Sequence, residues 1–135
     1  MRYFLFLLVS FSLSSLTAQI LPERDRAILK DKILADRFNN LLPQLMDHAA
    51  IDMWLVISRE YNEDPVMRTM LPSTWLNARR RTILVFYRNK EKNTIEKLAV
   101  ARYDVGKVFT KSWDKDTQPD QWARLAEIIV ERNPS

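Results

Sequence analysis

Three acidic residues and an arginine triplet stand between two apolar runs of the chain, 53–57 and 83–87. The acidic residues are Glu60, Glu63 and Asp64. Neighbouring carboxylates can serve in acid–base catalysis or bind a metal ion, but acids that follow one another on a single loop do not define a coordination shell. We therefore favour a solvated loop in which Asp64 caps a short helix that begins at Pro65.

The arginine triplet offers a different chemistry. It consists of Arg79, Arg80 and Arg81. Three guanidinium groups could clamp a carboxylate or a phosphate, or contact another subunit. In the alternative interpretation the triplet leads into a strand, points its side chains to both faces of the sheet and pairs with the three loop acids. Nucleic-acid binding is disfavoured, because no aromatic residue other than Trp75 interleaves with the basic residues.

Trp75 and His48 are the remaining candidates. A tryptophan near a proline in a loop can wall a ligand pocket or fill the core beneath the loop, and the sequence leaves both open. His48 is the only histidine of the chain, so a zinc or two-metal centre that needs two histidines is excluded. We interpret His48 as a surface residue near the carboxyl end of a helix, where its charge is favourable.

The composition narrows the possible functions further. The 135 residues are enough for one domain, and they include a single glycine and no cysteine. Glycine-rich phosphate loops, disulfides, thiol nucleophiles and thiolate metal sites are therefore excluded. The formal net charge is only +4, and acidic residues are interspersed with the basic ones along most of the chain. This mild charge also argues against nucleic acid as a partner.

Residues 1–18 have the pattern of a secretory signal peptide. Arg2 supplies the positive start, residues 3–11 are almost all apolar, and mostly small residues precede Ala18. Cleavage after Ala18 would leave a mature domain of residues 19–135 with no membrane attachment, because the apolar stretch is short for a membrane span. The sequence thus predicts an exported protein, periplasmic or extracellular.

The periodicity of the mature part predicts alternating helices and strands. Apolar residues at spacings of three and four indicate a helical region over 23–50 that kinks at Pro43. The predicted apolar face of this region consists of Leu34, Phe38, Leu41, Leu42, Leu45 and Ala49. The last helix follows residues 117–120, and its predicted apolar face consists of Trp122, Leu125, Ala126 and Ile129. Two short helices are expected on the loop, over 64–70 and 73–78.

The strands are predicted over 53–58, 83–87 and 95–104, with the last two joined as a hairpin and residues 105–117 as a connection. The first two strands should be buried on both faces, and the third lies nearer an edge. Together the elements predict an α/β fold, a mixed β-sheet flanked by helices. Because this alternation requires a further strand beside the first, we expect the chain to be incomplete at Ser135.

Four stretches of the mature chain resemble a known family of domains. They read IDMWLVISREYNEDP, TMLPSTWLNARRRTILVF, KLAVARYDVG and QPDQWARLAEIIVERNP. These stretches resemble the N-terminal, creatinase/prolidase-type domain of secreted bacterial Xaa-Pro aminopeptidase-like proteins, which precedes a "pita-bread" metallopeptidase domain. The resemblance covers residues 21–135, and the phrases around 58–65 and 75–86 are its specific part.

The resemblance implies a ribonuclease H-like layout of the sheet and a C-terminal catalytic domain beyond residue 135. That domain would bind a pair of divalent metal ions (Mn, Co or Zn) through two aspartates, a histidine and two glutamates, and would hydrolyse the peptide bond before proline. No catalytic residue, metal ligand or cofactor is assigned to this chain, because those positions would follow Ser135.

The resemblance also implies contacts with other subunits, because domains of this family pack in homo-oligomers and can close over a neighbouring active site that holds the peptide substrate. By position, the candidates for substrate or subunit contact are Glu60, Tyr61, Asn62, Trp75, Arg79, Arg80 and Arg81. The main hypothesis is a non-catalytic domain that aids oligomer assembly and shapes the substrate cleft, with an exposed apolar surface. The alternative is a free-standing exported module, a monomer that binds a ligand or protein through the loop without hydrolytic activity.

Overall fold

The structure, a computed structural model, describes residues 20–135, so the predicted signal peptide at 1–18 lies outside the described residues. Its described part is a four-stranded mixed sheet flanked by helices, which confirms the predicted α/β class. Among residues 20–135, no helix has both the length and the apolar character needed to span a membrane.

The first helical segment is continuous but changes its pitch. Helix α1 covers Glu23–Asp36, a π-helical turn covers Arg37–Leu41, and helix α2 covers Leu42–His48 with Pro43 in its first turn. Pro43 has no N–H to donate to the preceding turn, and the wider turn accommodates this. The predicted interruption at Pro43 therefore takes the form of a π-helical turn within one helix.

The buried residues of this segment follow a spacing of four. They are Leu34, Phe38, Leu42 and Met46. In an uninterrupted α-helix this spacing would drift around the axis, and the π-helical turn keeps the four side chains on the sheet side. The predicted apolar face is therefore wrong at Leu41, Leu45 and Ala49, which are exposed.

The sheet is built from four strands in the order β1-β2-β3-β4. The strands are β1 Met53–Arg59, β2 Arg81–Asn89, β3 Thr94–Ala101 and β4 Thr110–Lys111. The first two pairs are antiparallel, which confirms the predicted β2–β3 hairpin, and β3 pairs with β4 in parallel. The two-residue strand β4 lies inside the predicted connection, since so short a strand leaves no pattern in the sequence.

An aromatic cluster fills the space between the sheet and the first helical segment. The ring centroid of Phe38 lies 5.4 Å from that of Phe86 on β2 and 5.7 Å from that of Phe109. Trp54 on β1 lies 5.9 Å from Phe86. Tilted and edge-on pairs at these separations stabilise a core beyond the area that they bury.

Helix α4, Gln121–Arg132, covers the other face of the sheet. Leu125 and Ile128 pack on residues of the two central strands, Ile83, Val85, Leu98 and Val100. The helix was predicted, but two residues of its predicted apolar face, Trp122 and Ala126, are exposed. Gln121 is buried instead, because its amide donates hydrogen bonds to the carbonyl oxygens of Arg81 and Val100, at 3.1 and 2.7 Å.

The loop between β1 and β2 contains one helix rather than two. Helix α3, Pro65–Met70, forms as predicted, with the Asp64 carboxylate accepting the N–H of Val66 at 2.7 Å. The helix predicted over 73–78 is absent, and this stretch consists of turns and bends. Both the N–H and the hydroxyl of Ser73 donate to Asp31 of α1, so Ser73 anchors the loop to α1 instead of capping a helix.

Candidate functional site

Four of the predicted contact residues gather at the carboxyl end of β1. Glu60, Tyr61, Arg80 and Arg81 line an open depression of about 450 Å³ together with Arg59. The structure places the other three elsewhere. Asn62 closes the adjacent turn by donating its N–H to the carbonyl oxygen of Arg59, the last residue of β1, at 2.9 Å. Trp75 and Arg79 lie further along the loop, next to each other in space. The candidate site is thus a corner of the sheet.

The corner is held by two hydrogen bonds between Glu60, which follows β1, and Arg80, which precedes β2. The N–H of Glu60 donates to the carbonyl of Arg80 at 2.7 Å, and the N–H of Arg80 donates back to the Glu60 carboxylate at 3.2 Å. Tyr61 and Arg80 both adopt positive φ values, 66° and 55°, which non-glycine residues rarely do. This tight geometry leaves the Tyr61 side chain 96% exposed. A large aromatic side chain so presented is suited to contact with a partner.

The arginine triplet does not form a clamp. The Arg79 guanidinium lies 5.7 Å from the ring centroid of Trp75, whereas that of Arg81 lies 4.7 Å from the ring centroid of Trp122 on α4. Because Trp75 belongs to the core on the α1 side and α4 covers the opposite face, the arginines point to both faces, as in the alternative interpretation. Among the described residues, the one ion pair of Arg80 is with Glu60, at 4.0 Å.

The predicted pairing of the triplet with the other loop acids is wrong. Among residues 20–135, Glu60 is the only one of the three acids that forms an ion pair. Asp64 serves as the helix cap instead. Trp75 is resolved as a core residue: it is 8% exposed, and its indole N–H donates to the carbonyl of Asp104 at 2.9 Å. Trp75 therefore anchors the loop to the core, and the edge that stays exposed lines an open depression of about 620 Å³ beside Thr74 and Gly106.

Within residues 20–135, β1 is an edge strand that pairs with β2 on one side and with no strand on the other. The N–H of Arg88 donates to the carbonyl of Asp52, and the N–H of Glu60 donates to the carbonyl of Arg80, so even-numbered residues of β1 bond to β2. In an antiparallel pair the intervening residues point their N–H and C=O groups away from the neighbour. The open edge of β1 therefore presents the main-chain groups of three residues, Met53, Leu55 and Ile57.

The apolar side chains of this edge are incompletely covered. The prediction that β1 is buried on both faces is wrong, since only Val56 and Ser58 of the strand are buried. The reason is the position of α4, which sits over β2 and β3 and leaves the α4-facing residues of β1 at its margin. Ile57 on this margin is 42% exposed, and Trp122 on α4 is 46% exposed. We call the open edge and these two side chains the β1 edge surface.

The other end of the sheet carries two ion pairs. The buried Arg88 guanidinium donates to both carboxylate oxygens of Asp47 at 3.0 and 2.9 Å, and Lys90 lies 2.5 Å from Asp52. The hydrogen bonds from Arg88 lower the pKa of Asp47. The hydrogen bond from Lys90, aided by one from Ser135, lowers the pKa of Asp52 to about 2. These contacts lock the first helical segment and the start of β1 to the β2–β3 hairpin.

The depressed carboxyl pKa values predict acid sensitivity. Because both groups hold protons less tightly in the folded chain, their stabilisation is present above the ordinary carboxyl pKa of 3.8 and is lost as the pH falls toward about 2. The free energy of unfolding, measured by urea denaturation, should fall over this window. Asp52→Asn should lower it at neutral pH and flatten its decline with acid.

A matched variant controls for the loss of any acid. Asp116→Asn removes an acid that forms no ion pair among the described residues, so it should keep the pH dependence of the wild type. Equal slopes for the wild type and Asp52→Asn would contradict the assigned role of the Lys90 pair.

The described residues also include side chains of the types that could bind a metal ion. Within residues 20–135, no group of three or more histidine, cysteine, aspartate or glutamate side chains is arranged to hold a metal ion. His48 is exposed at the end of α2, as interpreted from the sequence.

Comparisons of the chain with protein-family models, with curated proteins and with solved structures found no match. The resemblance to creatinase-type N-terminal domains accordingly remains a prediction.

Proposed function

We propose that this chain is a non-catalytic N-terminal domain of an exported Xaa-Pro aminopeptidase-like protein, which aids oligomer assembly and shapes the substrate cleft. The single observation that supports this proposal most is the open edge of β1. A row of unpaired main-chain groups beside exposed apolar side chains is a template for pairing with another strand. Monomeric proteins usually shorten, charge or cover such an edge. Strand β1 is instead seven residues long, and its first five residues, Met53 to Ile57, are all apolar.

The corner beside the edge fits the second half of the proposal. Tyr61 projects from the point where β1 ends, and Arg59, Arg80 and Arg81 surround the same depression. A partner strand on β1 would bring its own flanking loops against these residues. Tyrosine and arginine are common anchors of interfaces, so this corner is where a neighbouring subunit or a peptide in its cleft would be contacted.

The non-catalytic part of the proposal is tested by an activity assay. The purified chain, supplied in turn with Mn²⁺, Co²⁺ and Zn²⁺, should not hydrolyse an Ala-Pro peptide, since the metal pair and its ligands are assigned to a separate C-terminal domain. The readout is release of the amino-terminal residue. Hydrolysis that a chelator abolishes would overturn this part of the proposal.

The assembly role is tested at a position whose N–H points outward. Ile57→Pro removes a donor that β1 does not use for β2, and proline is tolerated at such edge positions. Sedimentation equilibrium should show concentration-dependent association of the wild type. The variant should associate at least about tenfold more weakly, as expected when edge hydrogen bonds worth about 1.4 kcal/mol or more are lost.

Ile57→Thr is the matched control, because it keeps the β-branched shape and the N–H while reducing apolar area. It should associate more strongly than Ile57→Pro, and circular dichroism should show both variants folded. Equal association of the proline variant and the wild type would exclude the open edge as the interface. A wild type that stays monomeric at every concentration would overturn self-assembly and favour the free-standing binding module.

A further inference from the structure

A second surface, which shares no residue with the β1 edge surface, lies along helix α1. A groove of about 280 Å³ runs between α1 and the segment that follows α3. Leu34 and Leu71 are buried and form its floor, and Leu29 and Ile33 form its exposed wall at 44% and 50% exposure. We call this feature the α1 groove. Its volume suits one or two bulky side chains rather than a drug-sized ligand.

The rim of the α1 groove is basic. Three further lining residues are Arg26, Lys30 and Arg37, spaced by four and seven positions and therefore on one side of the helix. No carboxylate lines the groove, and within residues 20–135 neither Arg26 nor Lys30 forms an ion pair. The Arg37 guanidinium donates to the carbonyl of Thr69, which fixes one end of the rim.

One acid of α1, Asp31, is engaged in another contact. Asp31 of α1 accepts the N–H and the hydroxyl of Ser73, at 2.7 and 2.6 Å. An apolar floor beneath three cations is complementary to a ligand with an apolar side chain between carboxylates. Arg26 and Lys30 are about one helical turn apart, and Lys30 and Arg37 are about two turns apart. Carboxylates that are one or two turns apart on another helix would match these separations.

A lipid surface fits this geometry poorly. At 3.6 residues per turn, Ile28 lies about 140° around the helix from Ile33, and it is 62% exposed. The exposed apolar residues of α1 therefore fall on two sides of the helix, whereas a helix that lies in a membrane interface needs one continuous apolar face. No aromatic side chain lines the groove, so it offers no stacking surface for nucleic-acid bases.

We propose that the α1 groove binds an acidic amphipathic helix of a partner protein. One or two bulky aliphatic or aromatic side chains of that helix enter the groove and pack on its apolar floor, as in other complexes in which a helix binds in a groove. Carboxylates one turn away on either side pair with the basic rim. This interaction goes beyond the proposed assembly function, since it uses neither the open edge of β1 nor the corner beside it.

The test uses a fluorescent helical peptide of about 16 residues, with leucine and phenylalanine on one face and glutamate on the flanking positions. Fluorescence anisotropy should show saturable binding to the wild-type chain, weakened by added salt. A peptide with lysine in place of glutamate should not bind. Ile33→Glu and Lys30→Glu, which place negative charge at the apolar wall and the basic rim, should each weaken binding about tenfold or more.

Helix α1 itself offers the matched controls. Ile28→Glu and Lys32→Glu make the same chemical changes on the other sides of the helix, and both should bind the peptide within about twofold of the wild type. Because all four positions are largely solvent-exposed or at the rim, circular dichroism should show each variant folded.

Three outcomes would overturn the proposal. They are no binding of the acidic peptide by the wild type, equal loss in the groove and control variants, and binding to anionic vesicles that Ile28→Glu weakens as much as Ile33→Glu. The last outcome would identify a membrane surface instead. The assembly proposal would stand in all three cases, since Ile57→Pro tests it at a separate place.

Discussion

Replacing Phe86 with alanine is expected to destabilise the chain by about 3–5 kcal/mol, the range for a buried phenylalanine cut back to alanine. Phe86 is fully buried on the central strand β2. Its ring is the hub of the aromatic cluster, with centroids of Phe38, Phe109 and Trp54 at 5.4, 5.8 and 5.9 Å. Loss of the ring removes all three aromatic contacts and leaves a cavity. Strand β2 cannot move to fill this cavity, because it is hydrogen-bonded to β1 on one side and to β3 on the other.

Guanidinium denaturation followed by far-ultraviolet circular dichroism would measure this effect. A typical domain is stable by only about 5–15 kcal/mol, so the variant should unfold at a much lower denaturant concentration. Tyr103→Ala is the control, because it truncates an aromatic residue that is 42% exposed, and it should change the stability by less than about 1 kcal/mol. A loss of the same small size in Phe86→Ala would show that the aromatic cluster is not the centre of the core.

The burial of Phe86 could be predicted from the sequence, but the difference between β1 and β2 could not. Both strands are apolar runs of similar length, 53–57 and 83–87, and a run of this kind indicates a buried strand. Which one is central depends on the partners that each strand finds elsewhere in the chain. Here β2 pairs on both sides and β1 on one, and that pairing decides where the open edge lies.

The candidate site was also only partly predictable. The arginine triplet was recognised from three adjacent letters, and alternation along a strand already favours side chains on both faces. Stacking of Arg81 on Trp122 could not be anticipated, because the two residues are brought together only when α4 packs on the sheet. The same holds for the α1 groove, whose floor needs Leu34 from one helix and Leu71 from a distant loop.

The only glycine of the chain marks the second position where a small change should have a large effect. Gly106 has a φ of +61°, and a Cβ added there would lie 2.8 Å from Cγ and 3.3 Å from Cβ of Pro72. The left-handed conformation costs an L-residue about 1–2 kcal/mol, and forcing a methyl group into a filled space costs about 1–3 kcal/mol. Gly106→Ala should therefore destabilise the chain by about 2–5 kcal/mol, measured by the same denaturation.

The two causes can be separated, because only one of them involves Pro72. In a double-mutant cycle, Pro72→Ala removes the ring atom that the new methyl group would meet, while the backbone conformation at residue 106 stays left-handed. Part of the loss in Gly106→Ala should then be recovered in the double variant. Asn133→Gly is the control for backbone conformation alone: Asn133 ends α4 at a φ of 41°, so glycine there should be neutral or slightly stabilising. Strictly additive losses at 72 and 106 would mean that no steric contact joins the β3–β4 connection to the β1–β2 loop at this point.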